Sequence, residues 1–119
     1  MPIHIIDDNT SISEFIEELL EACSEEILCF HSAEEYLLYR GSYRYLEPKL
    51  IISDVVMGGM DGFDLIKNLQ AKGLKAKIII MSGFNTRFNE PCHKVDCILI
   101  KPFHPEKLIT VASQLLGQG

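Results

Sequence analysis

Leu50-Ile51-Ile52-Ser53-Asp54-Val55-Val56-Met57-Gly58-Gly59-Met60-Asp61-Gly62 is the stretch that decides how this chain folds. Its opening run, Leu50 to Ile52, is short and apolar, which reads as a strand buried within a parallel sheet. The run ends in an acid, Asp54. A glycine-punctuated loop follows, and a helix begins near Asp61. In open α/β sheets the functional crevice lies outside the carboxyl ends of the strands, so Asp54 is expected at its mouth.

Working outward, the same strand-then-helix unit recurs. Ile3 to Ile6 reads as a strand, followed by Asp7-Asp8-Asn9. Ser11 with Glu14 forms a capping-box start for a helix. Ile12, Phe15, Ile16, Leu19, Leu20 and Cys23 then lie at the spacing of one buried stripe. Ile27 to Phe30 is a second strand, and Ser32 with Glu35 opens a helix that stops near Gly41. A polar, tyrosine-rich connection, Ser42 to Pro48, leads back to Leu50. Beyond Asp61, residues Phe63, Ile66 and Leu69 mark a third helix with Gly73 as its stop. Lys77 to Ser82 and Cys97 to Ile100 are further strands. The last helix begins around Pro105, which suits a first-turn position, and runs to Gly117. This alternation predicts a doubly wound, five-stranded parallel α/β sheet with helices on both faces. Between the last two strands, Phe84 to Lys94 holds two asparagines and Pro91 but no apolar stripe, and any helix over Thr86 to Val95 is predicted to be short or missing.

Composition bounds the function. The chain has 119 residues, read as a single domain over 1–119, and carries a net charge of −6. Its lysines and arginines are scattered, which argues against direct nucleic-acid binding. No apolar run approaches the length of a membrane span and no signal-peptide start is visible, so a cytoplasmic location is expected. Four cysteines in such a protein are expected to be reduced. Cys92, His93, Cys97 and His104 match no usual zinc spacing.

The polar groups at the strand ends carry the chemistry: Asp7 and Asp8 after the first strand, Asp54 after the third, Ser82 after the fourth and Lys101 after the fifth. A doubly wound sheet brings all of these to one rim. Clustered carboxylates repel unless a cation joins them. Oxygen-only ligands suit Mg²⁺, which keeps waters for a phosphate-bearing partner. Lysine and hydroxyl groups can hold phosphoryl oxygens, and an aspartate can attack phosphorus to give an aspartyl phosphate.

These residues in this order resemble the receiver (response-regulator, CheY-like) domain of two-component signalling, over essentially the whole chain. Asp7-Asp8 match that family's acidic pair and Asp54 its phosphoacceptor. Met57, Met60, Asp61 and Gly62 match its M-P-x-M-D-G loop, Ser82 its Ser/Thr position, and Lys101-Pro102 its lysine with a usually cis proline. The resemblance implies strand order 2-1-3-4-5. It implies Mg²⁺ held by Asp7, Asp8, Asp54 and the Val56 backbone carbonyl, with Lys101 and Ser82 on the phosphoryl oxygens. It implies a phosphohistidine donor, on a histidine kinase or a histidine phosphotransfer protein, an unidentified downstream protein, and a self-modifying signalling domain rather than a turnover enzyme.

Three departures stand out. Gly58 replaces the loop proline, Ile98 replaces the aromatic residue usual three positions before the lysine, and the segment from Ser82 to Lys101 is short. The last two motivate an alternative, a receiver-fold binding module acting independently of phosphorylation, whose partner binding would be unchanged by Asp54→Asn. A phosphatase of the haloacid-dehalogenase type needs D-x-D, which Asp7-Asp8-Asn9 does not supply. A flavodoxin-like carrier would have to bind phosphate where two acids sit. His4 reads as a hydrogen-bonded sheet histidine, and the paired glutamates, Glu34-Glu35 among them, read as solvated helix faces.

Overall fold

A computed structural model of the protein describes residues 1–24, 26–83 and 95–117. Five parallel strands form one sheet: β1 (Ile3–Ile6), β2 (Ile27–Phe30), β3 (Leu50–Asp54), β4 (Lys77–Ser82) and β5 (Cys97–Ile100). Their order is β2-β1-β3-β4-β5, as expected. Four helices accompany them among the described residues: α1 (Thr10–Leu20), α2 (Ala33–Arg40), α3 (Gly62–Ala71) and α4 (Pro105–Leu115). The prediction of a short or missing helix over Thr86 to Val95 lies outside the described residues, except for Val95 at its end.

The strands read as largely apolar runs, with His4 the interruption in β1, because both faces of the sheet are covered. Ile3, Ile5, Leu50, Ile52, Ile79 and Met81 point to one side, where Ile16 and Leu20 of α1 and Leu108 and Ala112 of α4 meet them. Ile6, Ile51, Ile78 and Ile80 point to the other, against Ala33 and Tyr36 of α2 and Leu65, Ile66 and Leu69 of α3. Each fully buried isoleucine or leucine contributes about 2 kcal/mol through the water it sheds. The register sets Ile5 beside Ile52, Ile52 beside Ile79, and Asp54 beside Met81. The strand ends therefore finish close together along one rim.

Helix boundaries follow local chemistry, with one correction. Asn9, not Ser11, caps α1: its side-chain oxygen accepts the Ile12 N–H at 3.2 Å. Both residue types cap well. The choice falls to Asn9 because its own N–H donates to Asp7 Oδ1 at 2.8 Å, which fixes the turn one step earlier. The stripe is also narrower than its spacing suggests, since Phe15 is 45% exposed. Ser32 caps α2 as expected, accepting the Glu35 N–H at 2.9 Å. Gly73 ends α3 at φ +89, donating to the Gln70 carbonyl while Leu74 donates to Leu69. That doubly bonded exit needs a residue at ease in the left-handed region.

His4 lies fully buried on the α2 side of β1. Its Nδ1 shares a 2.8 Å hydrogen bond with the Tyr36 hydroxyl, and the rings of Phe30, Tyr36, Tyr39 and Tyr45 surround it edge-on. The expectation of a hydrogen-bonded sheet histidine holds for one nitrogen; Nε2 has no partner among the described residues. The tyrosine-rich connection is thus a lid on this histidine, with Arg40 stacked 5.4 Å from the Tyr45 ring.

Candidate functional site

Asp7 is the first residue beyond β1, and its N–H still pairs with the Phe30 carbonyl at 2.9 Å, so the backbone is held as though the strand continued. Its side chain is fully buried. Oδ1 accepts the Asn9 N–H at 2.8 Å, whereas Oδ2 accepts no hydrogen bond among the described residues. Burial is the main reason its carboxyl sits above the usual range; the nearby Asp54 and Asp8 charges push the same way, while the Asn9 N–H and Lys101 oppose them. Asp8, next in the chain, is exposed.

Asp54 ends β3 and is 8% exposed. Its Oδ1 accepts the Val55 N–H at 3.0 Å and pairs with Lys101 Nζ at 3.2 Å. Its carbonyl oxygen receives the Ser53 hydroxyl at 2.9 Å. Gly62 packs directly on that carbonyl, where a Cβ would overlap the oxygen, and donates its N–H to Val55 at 2.8 Å. Glycine after Asp61 is therefore a requirement of close backbone approach. Asp61 caps α3, accepting the Asp64 N–H at 2.8 Å.

Lys101 follows β5, where its N–H donates to the Ser82 carbonyl at 2.7 Å and its bond to Pro102 is cis. From there the ammonium reaches both acids, at 3.2 Å from Asp54 Oδ1 and 3.7 Å from Asp7 Oδ2. Ser82 ends β4, buried, with its hydroxyl donating to the Gly83 carbonyl at 3.2 Å. Val56 follows Asp54 by two positions and is 68% exposed beside it.

Asp7, Asp8 and Asp54 each offer one carboxylate oxygen, and these lie within 4.8 Å of one another, the one such cluster among the described residues. Three carboxylates against the single Lys101 ammonium leave two formal negative charges at this rim. The Asp7 Oδ2, which accepts no hydrogen bond among the described residues, and this charge balance fit a divalent cation with oxygen ligands.

Sequence reasoning missed two contributors. Asn9 ties Asp7 to the start of α1, and Glu34, read as solvated, accepts the Met60 N–H at 3.0 Å in the loop that follows Asp54. Two facts pointed toward the second: α2 starts at the same rim, and Gly58-Gly59 is a segment with no stiffness of its own. Ile98 lies on edge strand β5, paired with Ile80 and 36% exposed.

The fold and site together define an α/β domain of the doubly wound class with two acids and a lysine converging at its carboxyl rim. Residues 3–113 match the family described as response regulator receiver domain, and the chain belongs to that family. The transcriptional regulatory protein FixJ of Azorhizobium caulinodans is 32% identical over all of this chain and 56% of its own length. The probable transcriptional regulator ycf27 of Pyropia yezoensis is 30% identical over 89% of this chain and 43% of its own length. The chain thus spans about half the length of the curated relatives it matches. Among solved structures, a response regulator receiver domain protein from Clostridium thermocellum superposes with a TM-score of 0.83 at 22% identity, over 98% of this chain and 94% of that one. A response regulator from Chloroflexus aurantiacus gives 0.78 at 26% identity, over 98% and 97%. No helix among the described residues is long and apolar enough to cross a membrane.

Proposed function

We propose that this domain receives a phosphoryl group on Asp54 from a phosphohistidine of a histidine kinase or histidine phosphotransfer protein, and that the modification switches its hold on a downstream protein. An Asp54 carboxylate oxygen forms a bond to phosphorus as the phosphorus–nitrogen bond of the donor breaks. The leaving imidazole nitrogen keeps the electron pair and later takes a proton. Asp7, Asp8, Asp54 and the Val56 carbonyl would hold Mg²⁺, which supplies positive charge to the transferring phosphoryl oxygens. Lys101, already 3.2 Å from Asp54, is placed to follow a phosphoryl oxygen. Ser82 can turn its hydroxyl from the Gly83 carbonyl toward the same group. Each event modifies the protein itself, so the domain acts as a switch rather than a turnover enzyme.

The observation that carries this reading is the buried Asp54 paired with Lys101 beside an Asp7 oxygen that accepts no hydrogen bond among the described residues. Incubation with acetyl phosphate and Mg²⁺, followed by intact-mass spectrometry, adds one phosphoryl group to wild type and none to Asp54→Ala. A wild type left unmodified by acetyl phosphate and phosphoramidate alike overturns the proposal.

A further inference from the structure

The loop from Val55 to Asp61 is fixed at both ends. The Val55 N–H donates to the Met81 carbonyl at 3.1 Å, and the Gly62 N–H returns to Val55 at 2.8 Å. Between these points only part of the chain is anchored from within. The Met57 side chain is buried in the second core, but Gly58 stands at φ +81 with Gly59 directly after it. Proline is confined to φ near −65°, so Gly58 does more than replace it; the backbone takes a path a proline could not follow. Adjacent glycines lose more freedom on ordering than any other pair, and such a turn needs a hold from outside.

Glu34 supplies one. It sits in the first turn of α2, and its Oε2 accepts the Met60 N–H across 26 positions of sequence. The same carboxylate lies so close to Gly59 that a Cβ there would stand 2.8 Å from Oε2. Its neighbour Glu35 turns the other way, toward His31 at 3.7 Å. The Met60 N–H is also the main cause holding the Glu34 carboxyl below its usual range, so the group is charged when it makes this contact.

We propose that Glu34 is a positioning residue for the Asp54 site: reaching from α2, its carboxylate fixes the Gly58–Met60 turn and thereby sets the Val56 carbonyl beside Asp54. This rests on the reading of Asp54, Asp7, Asp8 and Val56 as a Mg²⁺ site. Free energy coupling runs both ways. A cation that draws on the Val56 carbonyl therefore tightens the Met60–Glu34 contact, and the start of α2 registers what the site holds.

The test uses isotope-labelled wild type, Glu34→Ala and Glu34→Gln, titrated with MgCl₂ alone and followed by amide NMR. In the cation-free protein, Glu34→Ala shifts the Met60 amide upfield and speeds its hydrogen exchange, while Glu34→Gln, which keeps an acceptor oxygen, restores most of both. Mg²⁺ affinity falls about tenfold in Glu34→Ala, at the low end of the loss typical when a group supporting a metal ligand is removed, and recovers in Glu34→Gln. Unfolding temperatures stay close across the three, which separates positioning from general damage. A Mg²⁺ affinity unchanged in Glu34→Ala, whether or not the Met60 amide moves, overturns the proposal. A wild type that takes no Mg²⁺ overturns the reading of the metal site instead, and the clamp then stands or falls on the Met60 amide alone.

Discussion

Acid should weaken this fold through His4. The imidazole is fully buried, one nitrogen bonded to Tyr36 and the other without a partner among the described residues. Burial lowers its pKa from 6.5 to about 4, because a charged ring in this aromatic enclosure would lose its water and gain no counter-ion. The sign follows from linkage. The unfolded chain takes up a proton near pH 6.5, whereas the folded chain refuses it until about 4. The His4 contribution to stability is therefore fully present above pH 6.5, falls as pH drops through the interval, and levels off below about 4. The gap converts to about 3 kcal/mol at 1.36 kcal/mol per pH unit. That is a large share of a typical domain stability of roughly 5–15 kcal/mol.

Asp7 works in the opposite direction. Its folded carboxyl sits above the usual range, so it gains a proton more readily folded than unfolded and contributes stability as pH falls. The two effects separate by comparison with His4→Leu, in which Asp7 is untouched. Urea unfolding by far-ultraviolet circular dichroism, at steps from pH 7.5 to 4, should show wild type losing about 3 kcal/mol more than the variant across that range. His4→Leu will start from a lower stability because it leaves the Tyr36 hydroxyl without this partner, but the slope carries the prediction. In wild type the His4 ring signals should not titrate between pH 7.5 and 5. Parallel pH curves for the two proteins, or a His4 titration midpoint near 6.5, would refute the reasoning.

Other perturbations bear on the loop and the site. Gly62→Ala pushes a methyl into the Asp54 carbonyl and should cost about 1–3 kcal/mol in thermal unfolding while reducing phosphoryl acceptance, a typical penalty for overpacking against backbone. Gly58→Pro restores the residue usual in the family, yet the φ of +81 at this position means it should destabilise the protein and weaken Mg²⁺ binding rather than improve either. Val56, two positions beyond Asp54, is apolar and exposed, and it is expected to limit the approach of a hydrolytic water. Loss of phosphate should therefore be slow in wild type and faster in Val56→Asn, followed by mass spectrometry after removal of the donor.

What could be read in advance was whatever the sheet imposes. Ile3–Ile6, Leu50–Ile52 and Lys77–Ser82 are legible because burial on both faces forces largely apolar runs, and parallel strands carry their final residues to one rim. Asp7, Asp54, Ser82 and Lys101 inherit their positions from that rule alone. What escaped has no local signature. The contest between Asn9 and Ser11 for the α1 cap was settled by the Asp7 carboxylate, a group outside the helix. Periodicity placed Phe15 on a face without saying how wide that face is. His4, Tyr36 and Tyr45 come together only after α2 and its connection fold back over β1. Glu34 and Met60 meet because α2 and the loop after Asp54 both begin at the strand ends. The rule that revealed the acids also contained the clamp: every segment leaving a strand's carboxyl end is a neighbour of Asp54, including the helix starts that look merely solvated. A residue at that rim with charge and reach is thus a candidate for holding the site in shape, whatever its distance along the chain.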